Sequence, residues 1–189
     1  MFSMPNPLHP AVVHFPIVLL LLGAVVAVAS VFVDRWQLAW TAAGLLALGA
    51  LGCFLAVKTG DVAHESVGKL TPTAEALVDA HEEWAQRTAI VVAVAGGLAI
   101  VAAATGTVPI LGRKRKEFTE RSSLNSGRGW GASRAVALTA RVLAAVVALA
   151  ACFLVYQTAR RGGELVYTQG VGVRSAAAQA IGNTGTDAD

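Results

Sequence analysis

The sequence predicts an all-α fold: an integral membrane four-helix bundle with a short extra-membrane helix and a flexible C-terminal tail. Three observations carry that expectation. Of 189 residues, 55% are hydrophobic and only 14% are charged, where a soluble domain carries about 25% charged residues. The mean hydropathy is +0.60. Four stretches are each long enough to cross a hydrocarbon core, which takes about 20 apolar residues in a helix. The same composition excludes disorder over most of the chain, and two cysteines exclude a disulfide scaffold.

The first span runs from about Ala11 to Val33. Ala27-Val28-Ala29 looks like a cleavage site, but residues 1–10 hold no Lys or Arg. A secretory signal wants a positive leader, so this segment is expected to stay as a span. The second runs from Trp36 to Val57 and the third from about Thr88 to Gly112, up to the first Arg of the next loop. The fourth, from about Ala135 to Thr158, carries one charge, Arg141. In lipid, each can satisfy its backbone groups only as a helix. Before the third span, Thr71-Pro72 reads as an N-cap and a first-turn proline. Leu77, His81, Trp84 and Thr88 then follow at helical spacing, so this helix should run into the third span. Residues 1–173 form the membrane domain and 174–189 a disordered tail by composition. Between them, Gly162–Val173 alternates apolar residues with glycines and reads as a short extended or looping segment, placed to lid the neighbouring end of the bundle.

Small residues recur every four positions: Ala39, Ala43 and Ala47; Ala89, Ala93 and Gly97; Ala95, Ala99 and Ala103; Ala140, Ala144, Ala148 and Cys152. Such stripes let membrane helices pack closely. Orientation follows from Lys and Arg in the loops. Arg113, Lys114, Arg115, Lys116, Arg121, Arg128 and Arg134 place seven of the fifteen basic residues in the 111–134 loop. That loop is expected on the cytoplasmic side of the membrane, with both termini and the 58–87 loop outside. Its basic run suits topology and anionic lipid. No nucleic-acid role is expected, because only Trp130 is near for stacking.

All four histidines fall at the outward side: His9 and His14 at the mouth of the first span, His64 beyond the second, His81 before the third. His14 lies one turn inside its span, where ionisable groups usually face the bundle interior or a functional cavity. His9 and His14 are five residues apart, so they do not share one helical face. Pro16 removes a backbone donor near His14. Imidazole is the commonest metal ligand, and haem iron takes axial histidines. The spacing matches no tight metal motif. Four outcomes stay open at this point: one or two haems, a single Zn or Cu site, a proton-handling site, or interfacial hydrogen bonds with nothing bound. Cys53 and Cys152 lie at similar depth, so a pair is geometrically conceivable beside the usual packing role. No phosphate-binding loop or Ser-His-Asp pattern is present, so no independent hydrolytic activity is expected. The uncharged second span, and a third uncharged up to Arg113, argue against a polar transport pathway.

The opening Leu8-His9-Pro10-Ala11-Val12-Val13-His14-Phe15-Pro16-Ile17 resembles the hallmark of a bacterial membrane-protein family, the domain of unknown function 2231. Thr59-Gly60 and the Gly-Glu-Leu-Val-Tyr run from Gly163, followed by Gly-Val-Gly-Val, are similar too. The likeness covers about residues 8–173. It implies a small protein of about four spans. Some relatives are joined to c-type cytochrome or other redox modules, which implies electron transfer with a periplasmic or membrane redox partner. His9 and His14 match the hallmark. Gln169 stands where relatives often carry histidine, so no ligand is carried over there. The leading expectation is an outward-facing site with His14 and His81 as first ligands and His9 and His64 second, binding haem b or a metal for electron transfer. The alternative is a non-catalytic structural or accessory subunit of a membrane complex.

Overall fold

The computed structural model describes residues 9–66, 70–117 and 127–171, with side chains described for 9–65, 70–106 and 134–171. Five helices make up these residues: α1 (His9–Val12), α2 (His14–Phe32), α3 (Trp36–Ser66), α4 (Pro72–Glu117) and α5 (Gly127–Gln169). No strand occurs among the described residues. α1 and α2 together form the first span. They part at Val13, one turn before Pro16, whose ring and missing N–H disturb the preceding turn. Four segments are long and apolar enough to cross a membrane: His9–Phe32, Trp36–Glu65, Pro72–Gly106 and Arg134–Gln169.

α2, α3, α4 and α5 form a closed ring of antiparallel neighbours, each packed on the next, with α5 returning to α2. The interior is built from small residues and the exterior from large apolar ones. Ala43, Ala95, Ala103, Ala148 and Ala151 are buried, whereas Leu21, Val25, Leu51, Phe54, Val146 and Phe153 are exposed. A soluble protein would invert that arrangement; in lipid, the apolar exterior is solvated and helices associate by close backbone approach. Two glycines set that approach. A Cβ on Gly23 would lie 2.9 Å from Leu46 Cγ, and one on Gly52 would lie 3.0 Å from Pro16 Cβ. Of the two small-residue stripes in the third span, Ala95, Ala99 and Ala103 form the buried one, while Ala93 and Gly97 face outward.

The helices extend beyond the bilayer. α4 has 46 residues, about 69 Å at the α-helical rise, against a hydrocarbon core of about 30 Å. The helix expected from Thr71-Pro72 is its first part and runs unbroken into the third span; Thr71 caps it, with Oγ1 accepting from Ala74 N–H at 3.3 Å. α3 likewise continues past Val57 to Ser66.

One expectation is corrected. The described part of the Gly162–Val173 stretch is not extended: α5 continues through Gln169 and stops at Gly170, which adopts φ +64°. Gly170 N–H donates to Val166 O and Val171 N–H to Leu165 O, closing the helix end. Alternation of apolar residues and glycine mimicked a strand, but helix packing overrode the glycine cost of about 1 kcal/mol each. The segment does cover the histidine end, since Leu165, Val166 and Val171 line the cavity there. Residues 172–173, the expected 174–189 tail and the 118–126 stretch of the basic loop lie outside the described residues.

At the opposite end, Arg141 of α5 is 6% exposed. It donates from Nη1 to Asp34 Oδ1 at 2.9 Å and to Ser30 O at 3.3 Å. The guanidinium thus caps the C-terminal carbonyls of α2, where a cation is favoured, and ties α5 to the first span.

Candidate functional site

A cavity of about 490 Å³ opens at the end of the bundle where α1 begins, α3 ends, α4 begins and α5 ends. Its walls are mostly apolar, with Val57, Val78, Ala85 and Val155 among them. All four histidines line it, together with Asp61, Glu82 and Cys53. His81 lies seven residues before Thr88, about 10 Å of helix, so the site sits where the bundle leaves the apolar layer.

The four rings share one feature: each is held through Nδ1 by an oxygen. His9 Nδ1 donates to Ala56 O of α3 at 2.9 Å, with Thr59 Oγ1 at 3.3 Å. His81 Nδ1 donates to Thr158 O of α5 at 3.0 Å. His64 Nδ1 meets Glu82 Oε1 of α4 at 2.8 Å. His14 Nδ1 donates to Pro10 O, one turn back, at 2.8 Å. A carbonyl can only accept, so the Nδ1 proton is fixed in three of the rings. A neutral imidazole so held presents a bare lone pair at Nε2. Among the described residues, no hydrogen bond engages Nε2 of any of the four.

The surroundings separate the rings. His9 and His81 are half-buried, and their centroids lie 6.5 Å apart at an interplanar angle of 89°. His81 thus meets His9. His14 is exposed at the rim and bonded within its own segment. His64 and Glu82 form a clasp between α3 and α4 with side chains 35% and 30% exposed. Thr88 Oγ1 and Thr158 Oγ1, 3.0 Å apart, tie α4 to α5 beneath His81. Beside these, Trp84 carries the Arg161 guanidinium over its ring at 4.3 Å, a cation–π contact between the same two helices.

Cys53 and Cys152 are both free thiols, Cys53 buried at the cavity wall. Among the described residues, no three His, Cys, Asp or Glu side chains converge as a metal-holding group. Sequence reasoning missed Glu82, Thr158 and the carbonyl partners. A main-chain acceptor has no residue-type signature, so only the glycines near it, Gly60 and Gly162, left a trace in the sequence.

The ring of four apolar helices, inside-out in its burial, defines an integral membrane protein with a histidine-lined cavity at one end. The chain belongs to the family described as "Predicted membrane protein (DUF2231)", which matches residues 5–175. No curated protein and no solved structure matches it.

Proposed function

We propose that the histidine-lined cavity takes haem b and that the protein passes electrons at the outer face of a bacterial cytoplasmic membrane. The observation that carries this reading is the His9–His81 pair, 6.5 Å between ring centres, with both Nδ1 protons given to main-chain carbonyls. Two imidazoles bonded at about 2 Å to opposite sides of one metal have ring centres about 6 Å apart. Tying Nδ1–H to an oxygen fixes the tautomer and raises the basicity of Nε2, the usual support of a ligating histidine.

The donor set favours haem over a lone Zn or Cu ion. A structural zinc takes four protein ligands and a catalytic one three, whereas haem brings its own equatorial nitrogens and needs only axial ligands. A pair without a third converging ligand suits the second case. When bound, haem supplies a one-electron iron couple. The chain's own part is to hold two imidazoles, surround them with apolar side chains and keep the site at the bundle mouth, within reach of a periplasmic or membrane redox partner. The outward direction follows from the basic 111–134 loop at the opposite end.

The test is the visible spectrum of the full-length protein purified after expression with ample haem. A Soret band that sharpens and shifts on dithionite reduction is expected. A protein without a Soret band overturns the haem reading, and elemental analysis then decides between Zn, Cu and no cofactor.

A further inference from the structure

We infer that the axial pair is His9 and His81, and that each is held by a copy of one seat whose positioning residues are Gly60 and Gly162. This rests on the haem reading above and adds the ligand assignment to it.

The two seats match part for part. In the first hairpin, His9 enters from the first span and donates Nδ1–H to the carbonyl of Ala56 on α3. Four residues on stands Gly60, where a Cβ would lie 3.2 Å from His9 Cε1 and 3.4 Å from Nδ1. In the second hairpin, His81 on α4 donates to the carbonyl of Thr158 on α5. Four residues on stands Gly162, where a Cβ would lie 3.1 Å from His81 Cε1 and 3.4 Å from Nδ1.

The spacing has a physical cause. A helical carbonyl is already engaged by the N–H four residues later. A ring that reaches the same oxygen must lie against the helix surface beside that later residue. Any side chain there would press on the ring, so glycine is the residue that lets it seat. The hairpins run in the same sense, so they bring two equivalent rings to the cavity from opposite partners. A pair of this kind can ligate one metal from two sides. His14 and His64 lack the arrangement. One is exposed and bonded to its own segment, the other is held by a carboxylate near the surface.

The duplication is invisible in the sequence. The His-to-carbonyl separations are 47 and 77 residues, so no fixed period links the two halves.

The experiment uses the full-length protein in detergent, loaded with haemin, and reads the haem-to-protein ratio, the ferric spin state by electron paramagnetic resonance, and thermal stability without haemin. The wild type is expected to be low-spin. His9→Ala and His81→Ala should each give a high-spin signal that added imidazole returns to low-spin, while His14→Ala and His64→Ala stay low-spin. Gly60→Ala and Gly162→Ala should weaken haemin binding by about tenfold, the scale of lost supporting contacts to a metal ligand. Gly44→Ala and Gly97→Ala, where an added Cβ meets nothing within 4 Å, should bind haemin as tightly as wild type. A low-spin signal surviving in His9→Ala or His81→Ala, or lost in His14→Ala or His64→Ala, overturns the assignment while the haem reading stands. Glycine variants that bind haemin like their controls overturn the seat. A wild type that takes up no haemin overturns both the assignment and the haem reading.

Discussion

Gly23→Ala and Gly44→Ala should move stability in opposite directions, although both replace a helical glycine in the first hairpin. Removing glycine from a helix interior gains about 1 kcal/mol of backbone conformational preference, and that gain is common to both variants. The surroundings are not. A Cβ on Gly23 would stand 2.9 Å from both Cγ and Cδ2 of Leu46 and 3.3 Å from Leu45 Cβ. Leu46 is 0% exposed and has nowhere to swing. Carbon–carbon contacts settle at about 3.5–4.0 Å, so α2 and α3 must part by about half an ångström or more. Overpacking of this kind costs about 1–3 kcal/mol. At Gly44 the added Cβ meets nothing within 4 Å. The common term cancels in the comparison, which leaves Gly44→Ala more stable than Gly23→Ala by about 1–3 kcal/mol. The assay is equilibrium unfolding in mixed micelles with rising dodecyl sulfate, followed by far-ultraviolet circular dichroism. Equal midpoints, or a more stable Gly23→Ala, would refute the claim that this glycine sets the α2–α3 distance.

Asp34→Ala should cost about 1–3 kcal/mol, because it leaves the buried Arg141 guanidinium without its carboxylate. Arg141→Met should cost less in the same unfolding assay, since Asp34 has a 74% exposed side chain that water can solvate. Breaking the His64–Glu82 clasp with Glu82→Gln should change stability by under about 1 kcal/mol, as befits a pair one-third exposed. Orientation is tested in a Cys53→Ala, Cys152→Ala background with a membrane-impermeant maleimide. Thr71→Cys should label in intact cells, and Ser122→Cys only after permeabilisation; the reverse pattern would turn the proposed topology over.

Much of the fold was legible because lipid makes simple demands. An uncharged run such as Trp36–Val57 has one structural solution, and small residues at four-residue spacing announce close helix packing. The limits were equally physical. Which of two small-residue stripes on α4 faces inward depends on where α3 and α5 lie, and local spacing does not contain that. The stretch from Gly162 misled because alternation over a few residues imitates a strand, while packing on α4 keeps it helical through Gln169. At the site, the gathering of His9, His14, His64 and His81 at one end could be read from their positions. That His81 meets His9 could not, since it depends on carbonyls at Ala56 and Thr158 that no side-chain pattern marks.

The two ends of the bundle use one kind of bond for different purposes. At each, a polar side chain from one helix donates to a main-chain carbonyl of another: Arg141 to Ser30 O, His9 to Ala56 O, His81 to Thr158 O. Within a membrane such bonds act as glue between helices. Beside Arg141 the space is about 10 Å³, room for about one water at most. Its charge is spent on Asp34 and the end of α2, which suits a fixed structural clamp. Imidazole differs in having a second nitrogen. After Nδ1 has tied the helices, Nε2 still carries a lone pair, and here two such rings border a cavity of about 490 Å³. The same interaction that closes the bundle therefore also orients a pair of ligands. Replacing His9 or His81 by asparagine would separate the two roles, since the amide can still donate to the carbonyl but offers no imidazole lone pair. Such variants should keep the bundle's thermal stability within about 1 kcal/mol, the net worth of one neutral hydrogen bond, and lose the low-spin haemin signal. A loss of folding together with the signal would show that the rings serve packing first.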